Sequence, residues 1–216
     1  MSKNTIGFSI AGSIICILFF ITVNLSTNSM AGIDNLWFIY PTFFVLWWPL
    51  SIIFAANSNQ KAFSVIGSIA IIVFLIAVNY TTSSCHPWFL YAVFPVVWWP
   101  VTMFAGERAK SIKFALIGSA STILYYTLLN LWISPNYPWA VFPAYAVIWW
   151  PMSLYFGPRK KYFAFSVMGS FVTILFFTIV NYISSPSTIW AIYPVFAVIW
   201  WPLSLYYFHY KKRLKF

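Results

Sequence analysis

The stretch VLWWPLS, residues 45–51, is written four times with small changes. It returns as VVWWPVT at 96–102, VIWWPMS at 147–153 and VIWWPLS at 198–204. Its prolines, Pro49, Pro100, Pro151 and Pro202, follow one another at a spacing of 51 residues each time. Working upstream, a Gly-Ser pair precedes each copy: Gly12-Ser13, Gly67-Ser68, Gly118-Ser119 and Gly169-Ser170. An asparagine stands 12 residues beyond each glycine, at Asn24, Asn79, Asn130 and Asn181. A third tryptophan stands 10 residues before the first of each pair, at Trp37, Trp88, Trp139 and Trp190. The first copy carries 4 extra residues between Asn24 and Trp37. Four markers in four copies at fixed offsets read as an internal repeat over residues 6–57, 62–106, 112–157 and 162–208.

Composition sets the class. Of 216 residues, 62% are hydrophobic and 6% charged. A soluble domain is nearer a quarter charged. Such a surface needs lipid around it, so the chain reads as one polytopic membrane domain, residues 1–216. Each repeat holds two apolar runs. The first covers roughly 6–23, 62–80, 114–131 and 163–183; the second covers roughly 36–55, 88–105, 139–156 and 189–207. A helix needs about 20 residues to cross the hydrocarbon core. The expected fold is therefore all-α, with eight transmembrane helices. A transmembrane barrel is disfavoured, because the runs are long and do not alternate. The N-terminal run imitates a signal peptide, with Lys3 before an apolar core. Its alignment with three later runs makes it a retained helix instead, and Ile15 before Cys16 does not suit a lipoprotein cleavage site.

Charge gives the orientation. All 12 basic residues lie at the N-terminus, between repeats, or in the tail 209–216. The positive-inside rule makes those segments cytoplasmic, with both termini inside. The inner basic residues can also attract anionic lipid. The formal charge of +10 is thus a topology signal rather than a nucleic-acid footprint. An even number of crossings per repeat points every copy the same way, so the repeats are parallel rather than inverted. A compact pseudo-fourfold bundle is the expected arrangement.

Each marker has a physical reading. Small residues Ser9, Gly12 and Ser13, with their equivalents, share one face of the first helix, at spacings of three and four. In lipid, such faces let backbones approach closely. The four asparagines near the outer helix ends either satisfy backbone at a helix end or form a polar ring around a pore or site. The tryptophan pairs Trp47-Trp48, Trp98-Trp99, Trp149-Trp150 and Trp200-Trp201 fall near mid-membrane: Trp47 is ten residues, about 15 Å, from Trp37 at the outer interface. A buried indole N–H wants an acceptor. The proline that follows leaves the carbonyl four residues earlier without its donor. Those carbonyls belong to Val45, Val96, Val147 and Val198. The expectation is that Pro49, Pro100, Pro151 and Pro202 bend their helices, and that an indole or hydroxyl of a neighbouring helix bonds the freed carbonyl. Ser51, Thr102, Ser153 and Ser204 follow the prolines by two. The tryptophans read as a packing latch, or alternatively as ligand contacts. Pro41, Pro143 and Pro194 belong to first turns, where a missing donor matters little; the second repeat has Pro95 deeper instead.

Chemistry is sparse. The acidic residues are Asp34 and Glu107, and the histidines are His86 and His209. No acidic or basic side chain falls mid-span, which argues against an ion-coupled pump. Paired carboxylates and phosphate-binding loops are missing, so an enzyme is not expected, and no cofactor is implied. Asp34, Cys85 and His86 lack metal-ligand spacing. Cys16 and Cys85 suggest two unlinked thiols.

Residues 35–50, NLWFIYPTFFVLWWPL, resemble the bacterial two-transmembrane (2TM) domain. That helix pair has an asparagine near the end of its first helix, then Trp-Phe-x-x-Pro and a further tryptophan. Asn24, Trp37, Phe38, Pro41 and Trp47 match in kind. The family's Gly-Trp-Gly element is replaced by Trp-Trp-Pro two or three residues deeper, and its terminal histidine has a counterpart in His209. The resemblance implies a membrane module of a kind often attached to signalling proteins.

The functional expectation is a non-enzymatic scaffold or sensor in a bacterial plasma membrane. It would bind lipid, an envelope-active compound or a membrane-protein partner. The alternative is a passive channel or uniporter along the pseudo-fourfold axis, lined by asparagines, hydroxyls and freed carbonyls. A membrane enzyme acting on lipid ranks third.

Overall fold

The computed structural model describes residues 3–28 and 36–211. Asp34 and most of the basic tail lie outside them. The described residues hold eight α-helices and no strand. They are α1 (Lys3–Asn28), α2 (Ile39–Ala56), α3 (Gln60–Thr82), α4 (Phe89–Ala105), α5 (Ile112–Ile133), α6 (Val141–Phe156), α7 (Tyr162–Ser184) and α8 (Ile192–Leu205). A 3-10 turn, Gly106–Lys110, extends α4, and a π-helical turn, Tyr206–Lys211, extends α8.

These helices follow from the apolar runs, and the starts of α3 and α5 are capped by side chains. Asn59 accepts from the Ala62 N–H at 3.0 Å, and Ser111 from the Phe114 N–H at 3.2 Å. Both are N-cap bonds that occupy a donor the first turn leaves over. The turns joining α2 to α3 and α6 to α7 each place one residue at positive φ, Ser58 at 51° and Lys160 at 52°.

Six helices are long and apolar enough to cross a membrane. They are α1, α2, α3, α4 with its 3-10 turn, α5 and α7. The sequence pointed to eight. α6 has 16 residues and α8 has 14, short of the usual span. At 1.5 Å per residue, 16 residues cover about 24 Å of a core about 30 Å thick.

The chain forms two compact units, Met1–Phe104 and Ala105–Phe216. In each, four helices run as two hairpin pairs. The buried positions invert a soluble core. The largest fully buried side chains are Asn24, Ser9, Ser64 and Ser166. Exposed positions include Phe8, Phe44, Leu131, Trp132, Tyr182 and Ile189. Large apolar side chains facing outward over a polar, small-residue interior suit lipid as the solvent, since apolar burial gives helices little drive to associate there. The protein is membrane-embedded on these grounds.

Candidate functional site

The Trp-Trp-Pro segments sit inside α2, α4, α6 and α8, and each helix runs through its proline without interruption. Proline has no N–H, so each of Pro49, Pro100, Pro151 and Pro202 leaves one carbonyl without its partner. A serine of the preceding helix supplies the replacement. Ser13 Oγ donates to the Val45 carbonyl at 3.3 Å, Ser68 to Val96 at 3.0 Å, Ser119 to Val147 at 3.0 Å, and Ser170 to Val198 at 3.2 Å. These are the four freed carbonyls, and the donors are the serines of the four Gly-Ser pairs.

Two sets of hydroxyls do something else. Ser51 and Thr102 donate to the carbonyls of Trp48 and Trp99, at 2.8 Å each. Ser153 and Ser204 donate to those of Trp149 and Trp200, at 2.7 and 2.6 Å. These bonds stay within one helix. Ser9, Ser64 and Ser166 are wholly buried and bond back to Ile6, Lys61 and Phe163. Ala115 takes the same place without a hydroxyl and is equally buried.

The glycines beside Ser13, Ser68 and Ser170 make room for indoles. A Cβ on Gly12 would meet the Trp48 ring at 2.8 Å. On Gly67 it would meet Trp99 at 2.7 Å and Trp47 at 3.0 Å; on Gly169, Trp201 at 2.7 Å and Trp149 at 2.8 Å. The second tryptophan of a pair therefore covers the glycine of its own hairpin. At Gly67 and Gly169 the first tryptophan of the preceding hairpin covers the glycine too. Trp47 and Trp99 lie 6.4 Å apart, as Trp149 and Trp201 lie 6.3 Å apart. Phe63 stands edge-on to Trp47 and Trp99, and Phe165 to Trp149 and Trp201. Nearer the loop ends of the hairpins, Phe43 stacks on Phe74 with centroids 4.0 Å apart, and Tyr145 on Phe176 at 4.1 Å. The Tyr145 and Thr173 hydroxyls share a further hydrogen bond of 2.9 Å. Trp98 and Trp150 pack edge-on to Phe94 and Phe114, at 6.1 and 5.9 Å.

Three of the asparagines bind the loops within their hairpins. Asn79 Nδ2 donates to the carbonyls of Ser83 and His86, while its Oδ1 accepts from Phe89 N–H. Asn130 does the same with Ser134, Tyr137 and Ala140. Asn181 repeats it with Ser185, Thr188 and Ala191. Both amide hydrogens and the oxygen are engaged with backbone, and all three residues are buried. Asn24 is buried too, at the end of the hairpin whose loop includes residues outside the description. The sequence left open whether these amides satisfy backbone or line a ring; their bonds here go to loop backbone.

Cys85 and His86 lie in the loop between α3 and α4; Cys85 is an exposed free thiol, and Cys16 is half-buried. Among the described residues, no three metal-ligating side chains gather. At the helix ends away from those loops, Lys61 lies over the Phe104 ring at 5.4 Å and Arg159 over Tyr155 at 4.3 Å. Lys110 pairs with Glu107 on the surface at 2.8 Å. An open, mainly apolar groove of about 340 Å³ lies at the loop end of the α7–α8 hairpin, lined by Thr178, Tyr182, Ile189, Ile192 and Val195 with Asn181.

The latch donor is the residue that sequence reasoning missed. Ser13, Ser68, Ser119 and Ser170 were read only as small contact residues. A signal was there: serine and carbonyl lie 28 residues apart in three hairpins and 32 in the first, which carries the longer loop.

Comparisons with protein-family models, with curated proteins and with solved structures find no match to the chain.

Proposed function

We propose that the chain is a non-enzymatic scaffold or sensor of a bacterial plasma membrane, built as four tandem hairpins that cross eight times in one orientation. Both termini lie in the cytoplasm. The short helices α6 and α8 cross by local thinning of the bilayer, which costs fractions of a kcal/mol per Å of mismatch. The observation that carries the functional reading is where the polar groups go. The latch serines and three of the loop asparagines spend their hydrogen bonds on the chain's own backbone. What the chain offers outward is aromatic and aliphatic surface.

Such a surface suits lipid, an apolar envelope-active compound or a transmembrane helix of a partner. The groove beside Tyr182 and Ile189 suits an acyl chain, and the inner basic residues suit anionic headgroups. The similarity of residues 35–50 to the 2TM domain, a module often attached to signalling proteins, agrees with a scaffold. The channel alternative draws no support from Asn79, Asn130 and Asn181, whose amides are committed to loop backbone.

Reconstitution separates the two. Vesicles carrying the purified chain are expected to show no ion or small-solute flux above empty vesicles. Lipid or a membrane protein is expected to co-purify with it. Flux above the empty-vesicle level would overturn the scaffold reading.

A further inference from the structure

Two joins between hairpins use one repeated aromatic interface, and α1 and α8 each carry one half of it uncovered. Where α2 meets α3, Trp47 enters a socket made by Phe63, Gly67 and Trp99. Phe43 and Tyr40 lie against Phe74. Phe54 lies against Phe63. Where α6 meets α7, the same contacts recur at positions 102 higher: Trp149 with Phe165, Gly169 and Trp201, Tyr145 and Phe142 with Phe176, and Phe156 with Phe165.

On α1 the socket exists without its knob. Phe8, Gly12 and Trp48 stand as Phe63, Gly67 and Trp99 do, and Phe8 is edge-on to Trp48 at 5.8 Å. The space at Gly12 is bounded by Trp48 alone, where Gly67 and Gly169 each meet two indoles. Phe19 occupies the place of Phe74. On the α8 side the knobs exist without a socket. Phe196 and Trp200 take the places of Phe43 and Trp47. Trp200 and Phe196 are 55% and 63% exposed; Phe8 and Phe19 are 69% and 62% exposed.

We propose that the α8 face of one chain docks on the α1 face of a second copy, Trp200 entering the Phe8–Gly12–Trp48 socket and Phe196 stacking on Phe19. The occupant is identified by the interface itself, which the chain builds twice within its own length from the same residue types. The contact is heterologous, so it closes into a ring or extends into an array. In lipid, its drive is close packing over a glycine and ring-on-ring contact. The proposal deepens the scaffold reading and rests on its membrane part.

Cross-linking tests it in full-length chains with Cys16→Ser and Cys85→Ser. Two differently tagged variants, Phe19→Cys and Phe196→Cys, are reconstituted together in phospholipid vesicles and treated with a short bis-maleimide. The expected product carries both tags at twice the 25.0 kDa chain mass. A Phe43→Cys/Phe74→Cys chain is expected to cross-link within itself and reports the shared packing. Resistance of the chain to carbonate extraction reports membrane insertion separately. In chains labelled for energy transfer between copies, Trp200→Ala is expected to lower the signal at least fivefold. No two-tag product while the internal control links, or transfer unchanged by Trp200→Ala, would overturn the proposal. So would a chain bearing both Phe19→Cys and Phe196→Cys that links only within itself.

Discussion

Gly67 and Ser68 are neighbours in sequence with different tasks. Gly67 is the floor under two indoles, and Ser68 replaces the hydrogen bond that Pro100 removes. Gly67→Ala puts a methyl 2.7 Å from the Trp99 ring, and overpacking of this kind costs about 1–3 kcal/mol. Its melting temperature in detergent is expected to fall. Gly7 has nothing within 4 Å of its Cβ position, so Gly7→Ala is expected to hold or raise it. Ser68→Ala leaves the Val96 carbonyl without a donor, and interhelical side-chain bonds in membranes average about 0.6 kcal/mol with a maximum near 1.7. Pro100→Ala returns a backbone N–H to that carbonyl. In a double-mutant cycle, Ser68→Ala is therefore expected to cost less on the Pro100→Ala background; equal costs would mean that hydroxyl and proline are not coupled. The sequence identified the freed carbonyl, because proline's missing N–H is a covalent fact. It did not identify the donor, because that depends on how deep two helices sit against each other.

At the scale of elements, the helices were legible. Apolar runs near bilayer length fixed eight of them, with ends close to those observed, since hydropathy and the basic turns mark the same boundaries. The lengths of α6 and α8 were less legible. The run 189–207 included the loop residues Ile189 and Trp190, and α8 starts only at Ile192. An asparagine holds those residues in the loop: Asn181 accepts from Ala191 N–H and donates to the Thr188 carbonyl. The same clamp closes the α5–α6 hairpin. Asn130→Leu removes three hydrogen bonds at once, those to the Ser134 and Tyr137 carbonyls and from the Ala140 N–H. At about 0.5–1.5 kcal/mol each, the expected loss is about 2–3 kcal/mol. Hydrogen exchange at Ala140 N–H is expected to rise with it. An unchanged rate would mean the amide is not the clamp.

For the whole molecule, the sequence shows four copies but not how copies meet. Hydropathy gives Phe43 and Phe44 the same value, yet Phe43 stacks on Phe74 while Phe44 is 70% exposed. Which aromatic faces a neighbouring helix and which faces lipid is a matter of helix rotation, and composition carries no record of it. Orientation is different, because charge does record it: basic residues between hairpins should hold every inter-hairpin turn on one side. The account stands or falls on α6 and α8 crossing despite their length. The direct measurement is labelling by a membrane-impermeant maleimide in sealed, right-side-out vesicles. Native Cys85 serves in one chain, and single cysteines at Asn136, Ser187, Ser58, Lys110 and Lys160 serve in Cys16→Ser/Cys85→Ser chains. The account predicts that 85, 136 and 187 react from outside, and that 58, 110 and 160 react only after permeabilisation. Positions 136 and 160 reacting from the same side would contradict it, because α6 would then not cross.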